Sequence, residues 1–107
     1  MINILVCDDN KKILEEVYKL LKNIENKSKN EFNIDLRSRG DFVYSYNDPY
    51  DIAIVDIEMP GINGLKLSEK LKEFNPDIIV IVLTSFQNYL DNAMRIHVFR
   101  YLSKPIE

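Results

Sequence analysis

Acidic residues stand at the ends of short apolar runs in this chain. Asp8 and Asp9 follow the run Ile2–Cys7, and Asp56 lies near the end of a second run, residues 52–57. Three carboxylates brought close together repel one another unless a cation compensates. Oxygen ligands without histidine or thiolate select Mg²⁺ or a similar hard ion. The pattern therefore indicates a divalent-metal site, provided that the fold gathers these positions.

Two further polar residues extend the pattern. Thr84 follows the most apolar run, residues 78–83, and Lys104 follows a last short run, Arg100–Ser103. Transfer of a phosphoryl group to a carboxylate needs a metal to neutralise the moving group, a positive point charge and a hydrogen-bond donor. Asp56 would be the nucleophile of such a reaction, as in enzymes that form an aspartyl phosphate.

Each of these residues also has a purely structural interpretation. Asp9 or Asn10 can cap the helix that follows the first run, a threonine at a strand end is usually structural, and a lysine before a proline is usually solvated. Asp56 is harder to dismiss, because a buried carboxylate is costly without a partner. The combination and order of the residues, more than any single one, favours the chemical interpretation.

The elements that must position these residues alternate along the chain. Short apolar runs predict strands, and a weaker alternating run is expected over residues 32–36. Helical spacing predicts helices that begin near Ile13 and cover residues 65–74 and 89–96, with a short helix around residues 42–46. Alternating strands and helices imply a parallel sheet, whose ligand site lies at the carboxyl ends of the strands. The polar residues would then share one edge.

Composition narrows the class of protein. The 107 residues suit a single domain, and 46% of them are hydrophobic, which is enough for a core. A net charge of -3 with scattered basic residues argues against direct nucleic-acid binding. The one cysteine, Cys7, excludes an internal disulfide, and its apolar flank predicts a buried structural thiol. We expect a cytoplasmic domain without membrane contact, since no signal peptide or long apolar run is visible.

The motifs resemble those of a known family. Asp8 and Asp9, then Asp56 within residues 55–64 (VDIEMPGING), then Thr84 and Lys104 resemble the receiver domain of two-component response regulators. The resemblance covers the whole chain, residues 1–107, as one receiver domain. It implies an α/β, flavodoxin-like, doubly wound sheet of five parallel strands in the order 2-1-3-4-5. Because the chain ends at Glu107, we expect the last helix of the family to be missing or truncated.

The resemblance also implies roles for the acidic residues. Asp56 would accept the phosphoryl group from a phosphohistidine on a sensor histidine kinase. Asp8, Asp9, Asp56 and the backbone carbonyl of Glu58 would hold Mg²⁺ or Mn²⁺. The domain would catalyse only its own phosphorylation and dephosphorylation, and so would not be an enzyme in the ordinary sense.

The same resemblance identifies the residues expected to respond to phosphorylation. Thr84 would turn toward the phosphoryl group, and Lys104 would pair with Asp56 before phosphorylation and with the phosphoryl group afterwards. The bond between Lys104 and Pro105 is expected to be cis. Tyr101 occupies the aromatic switch position of the family, although a half-buried strand aromatic is an equally simple interpretation.

The expected output is transcriptional. Residues 99–105 (FRYLSKP) resemble the subgroup whose output is a LytTR-type DNA-binding domain, here absent from the chain. A homodimer is also expected from the family, but this expectation is weakened because the missing helix belongs to a common dimer surface. The alternatives are a stand-alone receiver that acts by protein–protein contacts, a receiver that no longer takes phosphate, and a Mg²⁺-dependent phosphatase with Asp56 as nucleophile and Glu58 as acid.

Overall fold

Five parallel strands form a single sheet in the computed structural model, which describes residues 1–45, 49–84 and 100–103. The strand order is β2-β1-β3-β4-β5, as predicted. The strands are β1 (Ile2–Cys7), β2 (Phe32–Arg37), β3 (Ile52–Val55), β4 (Ile79–Thr84) and β5 (Arg100–Ser103). The predicted helix over residues 89–96 and the predicted cis bond before Pro105 lie outside the described residues.

Two long helices connect strands in the part of the chain that the structure describes. Helix α1 spans Lys11–Lys27 and begins at Asn10, whose side chain accepts a hydrogen bond from the backbone N–H of Lys12. Helix α2 spans Gly64–Phe74 and begins in the same way at Asn63. Both helices were predicted. The capping residue of α1 is Asn10, so the structural interpretation of Asp9 as the cap is not needed.

The two faces of the sheet are covered by different elements. Side chains alternate across each strand, so Val6 packs with α1 whereas Cys7 and Val55 pack on the opposite face with α2. Leu14, Val17 and Leu21 are the buried residues of α1, and Leu67 and Leu71 are the buried apolar residues of α2. The carboxyl ends of the strands between these layers form the edge that carries the polar residues.

A 3₁₀ helix replaces the short helix predicted around residues 42–46. It spans Asp41–Tyr44, and Val43 from it enters the core on the α2 side of the sheet. No helix among the described residues is long and apolar enough to cross a membrane.

Candidate functional site

The site begins where β1 and β3 end side by side. Cys7 and Val55 are opposite each other in the parallel register. The backbone N–H of Asp56 donates to the carbonyl of Cys7 over 2.9 Å, and the N–H of Asp8 donates to the carbonyl of Arg37 over 3.0 Å. These two bonds continue the ladders one residue past the strands. Asp8 and Asp56 therefore leave the sheet as neighbours at its carboxyl edge.

Three carboxylates converge at this edge. One oxygen each from Asp8, Asp9 and Asp56 lies within 4.8 Å of the other two. Asp8 and Asp56 are only 2% and 5% exposed, whereas Asp9 is exposed. An oxygen-only donor set at this spacing, with one member open to solvent, fits the ligand preference of Mg²⁺. The structure thus brings together the three predicted side-chain ligands.

Local hydrogen bonds orient the first carboxylate. The backbone N–H of Asn10 donates to Oδ1 of Asp8 over 2.9 Å. Because Asn10 also caps α1, the start of the helix and the orientation of Asp8 are fixed by the same turn. Asp9 stands between these two residues, and its side chain belongs to the acidic cluster.

The loop after Asp56 is arched and closed at its base. The N–H of Gly64 donates to the carbonyl of Ile57 over 2.9 Å, and Gly61 adopts a positive φ of 80°. The loop, residues 57–63, borders a pocket of about 270 Å³ lined by Ile57, Glu58, Met59, Gly61 and Asn63. This loop carries the backbone carbonyl of Glu58, the fourth predicted metal ligand.

Comparison with known proteins identifies the family. The response regulator receiver domain matches residues 4–107, nearly the whole chain. The chain belongs to this family. Receiver domains of two-component response regulators are signalling domains that work with sensor histidine kinases, so the resemblance read from the motifs is confirmed.

Relatives of this receiver domain include regulators of gene expression. The sensory transduction protein LytT of Oceanobacillus iheyensis is 32% identical over 111 residues, which cover 97% of this chain and 42% of that protein. The uncharacterized transcriptional regulatory protein YesN of Bacillus subtilis is 34% identical over 110 residues, which cover 98% of this chain and 29% of that protein. The receiver domain therefore spans less than half the length of either relative.

Solved structures share the fold. The response regulator TrrA from Thermotoga maritima, in complex with Mg²⁺ and BeF, has a TM-score of 0.80 and 28% identity, with 100% of this chain and 90% of that chain covered. The BeF3-activated receiver domain of DrrB has a TM-score of 0.85 and 22% identity, covering 100% of this chain and 87% of that chain. This chain therefore has the same fold as these solved response regulator proteins.

The remaining predicted residues are located in part. Thr84 is the last residue of β4, opposite Ser103 of β5, so its backbone lies at the same carboxyl edge. Tyr101 lies in β5 opposite Val82. The side chains of Thr84 and Tyr101 and the whole of Lys104 lie outside the described residues.

Two contributors to the site were missed by sequence reasoning. A Cβ atom on Gly64 would collide with the carbonyl oxygen of Asp56, so the first residue of α2 must be glycine for the helix to approach the acceptor strand. Asp41 contacts the loop at Ile62. Pro60 and Gly61 before Gly64 are a sequence signal for a turn, whereas no local pattern reveals a contact between residues 21 positions apart.

Cys7 lies beneath the acidic cluster as a structural thiol. It is fully buried, and its Sγ lies 3.6 Å from Sδ of Met59 in the loop. Burial, together with the nearby negative charges of Asp8 and Asp56, raises the pKa of the Cys7 thiol to about 12. The thiol is thus protonated at neutral pH, and its contact with Met59 anchors the loop to β1.

Proposed function

We propose that this receiver domain is a phosphorylation-dependent switch in which Asp56 accepts a phosphoryl group from a sensor histidine kinase. The observation that carries the proposal is the convergence of Asp8, Asp9 and Asp56 within 4.8 Å at the carboxyl edge of a parallel sheet. Asp56 is almost completely buried there, whereas Asp9 is exposed, so the cluster is open to solvent on the side of Asp9.

The proposed metal site uses the chain's own oxygen atoms. The carboxylates of Asp8, Asp9 and Asp56 and the backbone carbonyl of Glu58 would hold Mg²⁺ or Mn²⁺. When bound, the ion neutralises charge on the transferring group. The hydrogen bond from the Asn10 amide keeps Asp8 oriented for this role.

The transfer itself is a displacement at phosphorus. A carboxylate oxygen of Asp56 forms the new P–O bond while the P–N bond to the kinase histidine breaks, and the electron pair of that bond returns to the imidazole. Thr84 is proposed to donate a hydrogen bond to the phosphoryl oxygens. Lys104 is proposed to pair with Asp56 before the transfer and with the phosphoryl group after it.

Signal output follows from the added charge. A phosphoryl group on Asp56 brings about -1.5 to -2 charges and three acceptor oxygens, which attract a hydroxyl and an ammonium group. Thr84 ends β4 and Lys104 follows β5. Their movement would shift the conformation of the strand that carries Tyr101. The ring of Tyr101 is the proposed reporter of the active state.

The proposed output is control of transcription in the cytoplasm. Residues 1–107 are proposed to form one receiver domain, and the match to LytT and YesN supports a DNA-binding domain joined to it. The LytT relative favours an output of the LytTR type. A homodimer is a further proposal that the oligomeric state in solution would test.

The experiment is phosphorylation by a small donor. The receiver domain is incubated with acetyl phosphate and Mg²⁺, and the intact mass is measured with and without EDTA. The proposal predicts the addition of one phosphoryl group that EDTA prevents. No adduct in a sample shown to be folded by circular dichroism would contradict it.

A further inference from the structure

We propose that Asp41 is a positioning residue that holds the loop over residues 57–63 in the shape required by the metal site. The inference rests on the proposed function, since that loop carries the Glu58 carbonyl. Asp41 is distant in sequence from all the proposed ligands and belongs to the 3₁₀ helix that follows β2.

The first observation is a polar contact between Asp41 of the 3₁₀ helix and the loop over residues 57–63. Oδ1 of Asp41 accepts a hydrogen bond from the backbone N–H of Ile62 over 3.4 Å. Oδ2 of Asp41 also lies 3.4 Å from Nη2 of Arg39, in an exposed ion pair that should contribute little to the position of the carboxylate. A long and partly exposed bond is weak by itself, but it is directed at the loop backbone next to Gly61.

The second observation is the close packing of the backbones. A Cβ atom on Gly61, which has a positive φ, would collide with side-chain atoms of Asp41 and Arg39. A Cβ atom on Gly40 would lie 2.7 Å from Cγ2 of Ile62. Each segment therefore has a glycine at the point where the other segment touches it, so the contact depends on the shape of both loops.

The surroundings of the loop over residues 57–63 show where the contact from Asp41 acts. The hydrogen bond from Gly64 to Ile57 closes the base of the loop, and Ile62 is buried with Val43 in the core. Between these fixed points the loop borders the pocket of about 270 Å³ beside Glu58. The contact with Cys7 already holds the loop at Met59, and the hydrogen bond to Asp41 adds a second hold on the backbone at Ile62.

Loss of the Asp41 acceptor should therefore act on the metal through the Glu58 carbonyl. Asp8 and Asp9 directly follow β1 and Asp56 directly follows β3, so we expect the three carboxylates to keep their places. We expect Asp41→Ala to weaken Mg²⁺ binding about three- to tenfold, the size of effect expected for the loss of one hydrogen bond.

The test is calorimetric titration of the receiver domain with Mg²⁺. Asp41→Asn keeps the acceptor oxygen and should retain affinity within about twofold, as should Arg39→Ala, which removes only the ion-pair partner. Hydrogen exchange of the Ile62 amide should accelerate in Asp41→Ala and not in Arg39→Ala. Asp41→Ser, whose hydroxyl is too short to reach Ile62, provides a second variant if the alanine protein does not fold.

The outcomes separate the two proposals. Equal Mg²⁺ affinity in wild type, Asp41→Ala and Asp41→Ser would overturn the positioning role and leave the metal site standing. Equal losses in Asp41→Ala and Asp41→Asn would also overturn it, because the acceptor would then be irrelevant. Absence of Mg²⁺ binding in the folded wild type would contradict the proposed metal site, and this inference with it.

Discussion

The backbone amide of Asp56 donates to the carbonyl oxygen of Cys7 over 2.9 Å, one residue beyond the end of β3. This bond holds the proposed phosphoryl acceptor beside the strand that leads into Asp8 and Asp9. The acidic cluster is therefore a consequence of sheet register, and a variant that preserves the register should leave the carboxylates in place.

Metal binding should stabilise the fold through the acidic cluster. Mg²⁺ at ten times its dissociation constant should raise the free energy of unfolding by about 1.4 kcal/mol. Asp9→Asn removes one proposed ligand and should lose most of this gain, whereas Asp77→Asn, an exposed aspartate after α2, should keep it. Urea unfolding with Mg²⁺ or EDTA measures the difference. The same gain in Asp9→Asn would remove Asp9 from the ligand set.

The approach of α2 to the acceptor strand should not tolerate a side chain at its first residue. Gly64→Ala places a methyl group against the carbonyl of Asp56, and should lower the free energy of unfolding by about 1–3 kcal/mol. Lys66→Ala, in the same turn and 54% exposed, should change it by less than about 0.5 kcal/mol. Equal effects of the two variants in urea unfolding would show that the close approach is unimportant.

Glu25 should make stability depend on pH. Its carboxylate pairs with Lys22 and accepts the backbone N–H of Phe32 at the start of β2, and these bonds hold the pKa of Glu25 below its usual value. A lowered pKa gives stability that is present above the unfolded value of about 4.3 and is lost as the pH falls through the folded value.

Glu25→Gln should accordingly be less stable than wild type at pH 7, with a difference that shrinks in acid. Urea midpoints measured from pH 7 to pH 3 give the comparison, and Glu15→Gln, an exposed glutamate of the same helix, is the control. A difference that stayed constant across this range would show that the Glu25 charge does not matter.

Cys7 should be unreactive in the folded protein. Because the thiol is buried and its pKa is raised to about 12, very little thiolate is present near pH 8, and reagents cannot reach it. Iodoacetamide should modify the protein in urea and not in buffer, as read by intact mass. The chain has one cysteine, so a single modification reports this site without ambiguity. Rapid modification in buffer would contradict the buried position.

The strand ends were predictable because buried parallel strands have a clear sequence pattern. Residues Ile2–Cys7 and Arg100–Ser103 were predicted with the observed bounds, and the predicted run over residues 52–57 includes β3. The convergence of Asp8, Asp9 and Asp56 followed from the rule that ligand sites lie at the carboxyl ends of such strands. Local pattern plus topology was sufficient for the acidic cluster.

Contacts between distant loops were not predictable. The bond from Ile62 to Asp41 and the tight fit of Gly64 against Asp56 depend on loop paths, which no periodicity encodes. The choice between Asp9 and Asn10 as the helix cap also needed the structure, since both residue types cap helices well. The roles of Thr84, Lys104 and Tyr101 stay predictions.

The central claim is tested most directly by the identity of the residue that is phosphorylated. Wild type, Asp56→Asn and Asp77→Asn are incubated with acetyl phosphate and Mg²⁺, and their intact masses are compared after circular dichroism shows that each is folded. The account predicts one added phosphoryl group on wild type and on Asp77→Asn, and none on Asp56→Asn. An adduct of equal yield on Asp56→Asn would show that Asp56 is not the acceptor.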